Sequence, residues 1–140
     1  MNRLYVVAAW VPRRTTITVG ALGPVTFARG WYAYVGSARR GRAARVARHF
    51  RRDKPLRWHA DYLFAEQPAR RAWLIDTARS ECALVDGLGA AGIAERVVPG
   101  FGASDCGCAG HLVRVARLER IAALDVAVGP AAVASTVHGR

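Results

Sequence analysis

Residues 34–52 read YVGSARRGRAARVARHFRR, an aromatic strand end that runs straight into seven arginines and one histidine. The β-branched and aromatic run Trp31 to Val35 stops at Gly36. Ser37 is placed to cap a helix from about Ala38 to Arg52, and Pro55 blocks its continuation. The rest of the sequence is ordered around this strand-to-helix junction.

Upstream, RLYVVAAWV (3–11) reads as a strand, and TTITVGALGPVTF (15–27) as a hairpin around its Gly-Ala-Leu-Gly-Pro turn. Downstream, LRWHADYLFAE (56–66) has helical spacing and RAWLID (71–76) strand character. SECALVDGLGAAG (80–92) is a short helix ending in glycines. AERVVPG (94–100) and HLVRVA (111–116) read as strands flanking the loop GFGASDCGCAG (100–110). The order β-β-β-β-α-α-β-α-β-β predicts an α+β fold, a small mostly antiparallel β-sheet flanked by helices. One domain is expected over residues 1–117, with 118–140 as a C-terminal tail, helical at first and rich in Ala and Val.

Charge is unevenly placed. Arg39, Arg40, Arg42, Arg45, Arg48, Arg51, Arg52, Lys54 and Arg57 stand against Asp53 alone, a net of +8 out of the chain's +11. Solubility gives no reason to concentrate charge, whereas binding a polyanion does. Arginine also grips phosphate oxygens in a bidentate fork that lysine lacks. The competing reading is a solvated charged face, the usual meaning of a charge run. A hydrophobic content of 52% argues against disorder. No apolar run reaches the roughly 18 residues of a membrane span. With three cysteines and no secretory signal, the expectation is a soluble cytoplasmic protein with reduced thiols and no membrane partner.

At about 100° per residue, Arg42, Arg45, His49 and Arg52 fall on one side of the basic helix, and Ala43, Val46, Ala47 and Phe50 on another. This predicts an apolar face on the core and a guanidinium and imidazole face on a groove. Tyr32 and Tyr34 share one sheet face, and Gly36 lets the backbone come close to whatever lies beyond the strand end. Glu81 falls in register with Leu84, Val85 and Leu88, the face expected to be buried. A carboxylate there is costly unless it is paired or holds a metal. Alternatively it leans outward, where the helix dipole favours it.

Together these pieces resemble the GIY-YIG nuclease superfamily, in which a Tyr-[Ile/Val]-Gly strand end precedes a helix with an essential arginine and often a histidine one turn on. Tyr34-Val35-Gly36 matches the second half of the name motif, and Arg45 and His49 match the helix pair. Arg3-Leu4-Tyr5 matches the first half, with Arg3 where the family has glycine. GWYAYVGSA (30–38), WHADYL (58–63) and SDCGCAGHL (104–112) are similar to a subfamily of small proteins with relatives fused to endonuclease III type DNA glycosylases.

The resemblance implies a metal-dependent endonuclease that hydrolyses phosphodiester bonds in DNA, in repair or processing. Glu81 would hold one Mg²⁺ or Mn²⁺. Arg45 would stabilise the charge developing on phosphorus, and Tyr5, Tyr34 or His49 would orient or deprotonate the attacking water. Arg39, Arg40, Arg42, Arg48, Arg52 and Lys54 would grip the nucleic-acid backbone. The expected partner is DNA, with RNA not distinguished, together with a repair glycosylase or a second copy of the chain. The other class is a non-catalytic nucleic-acid-binding module with the same fold and basic groove. Binding alone does not require Tyr5, Tyr34, Arg45, His49 and an inward glutamate together, which favours the nuclease.

Cys106, Cys108 and His111, joined by Cys82, are a four-ligand zinc alternative. Their C-x-C-x-x-H spacing lacks the second ligand pair of the common zinc patterns, and cysteine is often just a small buried residue, so zinc is not expected. His59 and Asp61 either line the site or brace the helices.

Overall fold

Leu4 to Ala9 carry no polar alternation, the pattern of a strand covered on both faces. The computed structural model describes residues 1–103 and 107–123, and it buries all six of these residues in the interior of a five-stranded sheet. The strands are β1 (Asn2–Val11), β4 (Gly30–Ser37), β5 (Arg71–Thr77), β6 (Ala94–Arg96) and β7 (Leu112–Val115). They lie in the order β5-β1-β4-β7-β6, and every pairing is antiparallel. The hairpin strands β2 (Thr15–Thr18) and β3 (Pro24–Phe27) form a separate two-stranded sheet. Among the described residues the α-helices are α1 (Arg42–His49), α2 (His59–Glu66) and α3 (Glu81–Ala90). The expected α+β fold and element order are therefore what forms. No helix among the described residues is long and apolar enough to cross a membrane.

Each sheet face has its own core. Leu4, Val6, Ala8, Val35 and Ile75 pack with Leu84, Val85 and Leu88 of α3. Leu118 and Ile121, from a 3₁₀ turn at Leu118–Ala123, join that core. Each fully buried aliphatic side chain contributes about 1.5–3 kcal/mol of hydrophobic transfer. On the other face Tyr5, Val7, Val11 and Tyr32 pack with Val46 of α1, Leu63 and Phe64 of α2, and Ile17 and Phe27 of the hairpin.

Two boundaries differ from expectation for identifiable reasons. Ser37 does not cap a helix. It ends β4, paired with Leu4, and α1 begins four residues later than expected, behind Gly41 in the left-handed region at φ 65°. Helix α2 starts at His59 rather than Leu56, because the Asp61 carboxylate accepts hydrogen bonds from the backbone N–H groups of Arg57 and Trp58. That bonding holds Trp58 in an extended conformation ahead of the helix.

The orientation of α1 is a larger correction. Val46 is buried and Phe50 half-buried as expected, but Ala43 and Ala47 face solvent while Arg42 and His49 are buried. Hydropathy predicts the reverse. The polar side wins because its groups meet partners: Arg42 donates to the Leu4 carbonyl at 3.0 Å and to Asp76 at 2.6 Å, and His49 meets the Tyr5 hydroxyl at 2.9 Å. Small alanines lose little by facing water.

Candidate active site

Antiparallel pairing sets Tyr5 of β1 opposite Gly36 of β4, at the sheet end where α1 and α3 begin. A side chain at Gly36 would place its Cβ 2.5 Å from the Tyr5 ring, so glycine here makes room for the tyrosine. Gly102 does the same for Tyr34: at φ 72°, its Cβ would lie 2.7 Å from that ring. Gly36→Ala is expected to lose about 1–3 kcal/mol through overpacking and to break the Tyr5–His49 hydrogen bond. Urea unfolding measures the first effect, and the His49 ring resonances report the second.

Tyr5, Tyr34, Arg45, His49 and Glu81 all line one cavity of about 320 Å³, with Ser37, Arg57, Trp58, His59, Gly102 and His111 completing much of its wall. Arg45 donates to the Ser37 carbonyl at 3.1 Å and lies 4.7 Å over the Trp58 ring. The Ser37 hydroxyl donates to the Glu81 carboxylate at 2.8 Å. One strand-end serine thus positions both the arginine and the carboxylate. Glu81 is half-buried in the first turn of α3, whose N-cap Ser80 accepts from the Ala83 N–H. Among the described residues it is the single carboxylate of the cavity wall. Asp76 is engaged by Arg42, and Glu66 is exposed at the end of α2.

Burial fixes protonation in the pocket. It pushes the Tyr5 phenol well above its ordinary value, with Tyr34 adding to the rise and Arg45 opposing it. It also lowers His49 to about 3, helped by Lys54. At neutral pH both partners of the Tyr5–His49 bond are uncharged, and His49 Nδ1 has no hydrogen-bond partner among the described residues. The folded His49 resists a proton that the unfolded chain accepts near pH 6.5. Its contribution to stability is therefore complete above about pH 6.5 and is lost progressively as pH falls towards 3. The expected loss between pH 6.5 and pH 5 is about 2 kcal/mol, measurable by urea unfolding across that range. His49→Gln should flatten the dependence.

Asp61 is fully buried and ties α2 to α1. It takes Arg48 in a two-pronged ion pair, Nε to Oδ1 at 3.1 Å and Nη2 to Oδ2 at 2.9 Å, besides the two backbone N–H groups. Burial alone would raise its pKa, but these donors hold the carboxyl below its usual range. Asp61 braces the helices, while His59 lines the cavity and accepts from the Gly102 N–H at 2.9 Å.

Several of the basic residues assigned above to phosphate binding are engaged in holding the fold. Arg42 is buried against Asp76, and Arg48 is bound to Asp61. Lys54 donates to the Arg48 carbonyl at 2.9 Å, and Arg52 donates to the Glu66 carbonyl at 2.8 Å. Arg39 and Arg40 are exposed, as are Arg51 and Arg57 outside that set. Ser37, Arg57, Trp58, Ala60 and Gly102 line the cavity but carry no site role in the sequence reading. The available signal for Trp58 was a large aromatic set among charged residues in RWH, and Trp58 is 40% exposed.

Of the zinc alternative, Cys106 lies outside the described residues. Cys82, Cys108 and His111 come together, their ligand atoms all within 4.8 Å of one another. The donor chemistry for magnesium or manganese is separate: one oxygen ligand, Glu81, in a cavity with room for water. That suits hard ions, which bind through one or two carboxylates and keep several waters.

Residues 4–130 match the family described as Domain of unknown function DUF123. Neither a curated protein nor a solved structure matches the chain significantly.

Proposed function

The chain belongs to the DUF123 family, and on that footing we propose that it is a GIY-YIG type endonuclease that hydrolyses phosphodiester bonds in DNA with one divalent metal ion. The observation that supports this reading is the gathering of Tyr5, Tyr34, Arg45, His49 and Glu81 around one cavity, from four separate elements. A binding groove needs the cation; it does not need the carboxylate and the two tyrosines beside it.

Each residue has a role its surroundings suit. Glu81, oriented by Ser37, would hold Mg²⁺ or Mn²⁺, which when bound supplies charge stabilisation at the scissile phosphate. Arg45 is pinned by the Ser37 carbonyl and the Trp58 ring, so its fork is pre-organised for the charge that develops on the phosphoryl oxygens. Tyr5 and His49, both held neutral by burial, position the attacking water through hydrogen bonds. Tyr34 is half-buried and Tyr5 fully buried, which makes Tyr34 the better placed tyrosine to take that water's proton, a step it performs as the phenolate and that leaves it a neutral phenol. Arg57, exposed and lining the cavity, together with the exposed Arg39 and Arg40, would take the flanking phosphates.

The test is nicking of supercoiled plasmid at neutral pH and low salt with Mg²⁺ or Mn²⁺. Conversion to open circles with metal, and none with chelator, is the expected result. Salt-sensitive DNA binding with the plasmid left intact, on branched and damaged substrates as well, would transfer the reading to a non-catalytic binding module.

A further inference from the structure

The Cys82, Cys108 and His111 cluster has no role in the chemistry above. Cys82 sits in the first turn of α3, next to Glu81. Cys108 and His111 come from the loop that leads into β7, and His111 is part of the cavity wall. The Cys82 sulfur is 3.3 Å from His111 Nε2, and all three ligand atoms lie within 4.8 Å of one another. In a tetrahedral zinc site with ordinary bond lengths, neighbouring sulfur and nitrogen ligands stand roughly 3.5–3.8 Å apart. The cluster is already at that scale.

Its scaffold is also fixed in advance. The His111 N–H donates to the Phe101 carbonyl at 2.7 Å, and its own carbonyl accepts from Val35 at 3.1 Å. The loop before it is cross-linked by the Gly100 N–H to the Ala109 carbonyl at 2.8 Å. The Cys82 end is held by the Ser80 cap. Two sulfurs and an imidazole form a soft donor set, which selects zinc over magnesium or manganese.

We propose that Cys82, Cys108 and His111 bind one zinc ion, which clips the first turn of α3 to the loop before β7. Binding converts two thiols to thiolates and releases two protons, so the Zn²⁺ charge is balanced by two sulfur anions. The ion is distinct from the one assigned to Glu81. Its effect on the pocket is positional: it fixes the turn that carries Glu81 and the loop that carries Gly102 and His111.

Cobalt(II) titration of the full chain under reducing conditions, followed by absorption, tests this without any nucleic acid or nuclease readout. About one Co²⁺ per chain is expected, with sulfur-to-cobalt charge-transfer bands in the near ultraviolet, strong tetrahedral bands in the visible, and displacement of both by Zn²⁺. Cys108→Ser and Cys82→Ser should each weaken the charge-transfer bands. Mg²⁺ in large excess should leave the spectrum unchanged. The proposal is overturned if wild-type protein gives only weak octahedral cobalt absorption. It is equally overturned if folded Cys108→Ser, checked by circular dichroism, retains the wild-type spectrum. Loss of nicking with an intact cobalt spectrum would bear on the nuclease reading alone.

Discussion

Arg45→Ala is expected to slow plasmid nicking by roughly a hundred- to a thousandfold, the loss typical when one pre-organised donor to a developing anion is removed. The size follows from how the guanidinium is held. The Ser37 carbonyl fixes one nitrogen at 3.1 Å, and the Trp58 ring supports the planar group at 4.7 Å, so little reorganisation is needed when charge builds on phosphate. Arg45→Lys keeps the charge but not the fork or the stacking, and should recover only part of the rate. Glu81→Gln is expected to lose activity on the same scale without altering DNA affinity at low salt, since the exposed arginines remain. If Arg45→Ala nicks as fast as wild type, this residue is a structural cation and the assigned chemistry is wrong. If only Glu81→Gln is silent, the metal ligand alone has been misassigned.

The second large effect is on stability. Asp61→Ala should cost about 3–5 kcal/mol, because it removes a fully buried carboxylate and leaves Arg48 and two backbone donors without their acceptor. That is a large share of the 5–15 kcal/mol typical of a domain. Asp61→Asn keeps the shape and should cost less, though it cannot accept from Arg48 and the backbone N–H groups with both oxygens. Asp86→Ala is the contrasting variant. Its ion pair with Arg96 is equally short at 3.0 Å, but the Asp86 side chain is 67% exposed, and its removal should cost under about 1 kcal/mol. Urea unfolding of the three variants measures the contrast. Equal losses for Asp61→Ala and Asp86→Ala would refute the role given to Asp61. Trp58, held extended by Asp61, should also lose its stacking on Arg45 and Arg48, visible as a change in tryptophan fluorescence.

The strands, their order along the chain and the position of three helices are local properties, written in β-branched runs, glycines and helical spacing. They could be read from Leu4–Ala9, Trp31–Val35 and Leu84–Leu88 because apolar burial leaves a periodic trace. The sequence also holds the residue types of the site: tyrosines in the strands, an arginine on the helix that follows, and a glutamate in register with Leu84, Val85 and Leu88. It could not decide which way the basic helix faces. Hydropathy puts Ala43 and Ala47 inward. Arg42 and His49 take that place instead because Leu4, Asp76 and Tyr5, each distant in sequence, supply hydrogen-bond partners. A buried polar group is costly alone and tolerable when paired, and pairing across 30 to 45 residues is a property of the tertiary structure. The same reason separates Arg48, bound to Asp61, from Arg57, exposed at the cavity, although both belong to one run of charge.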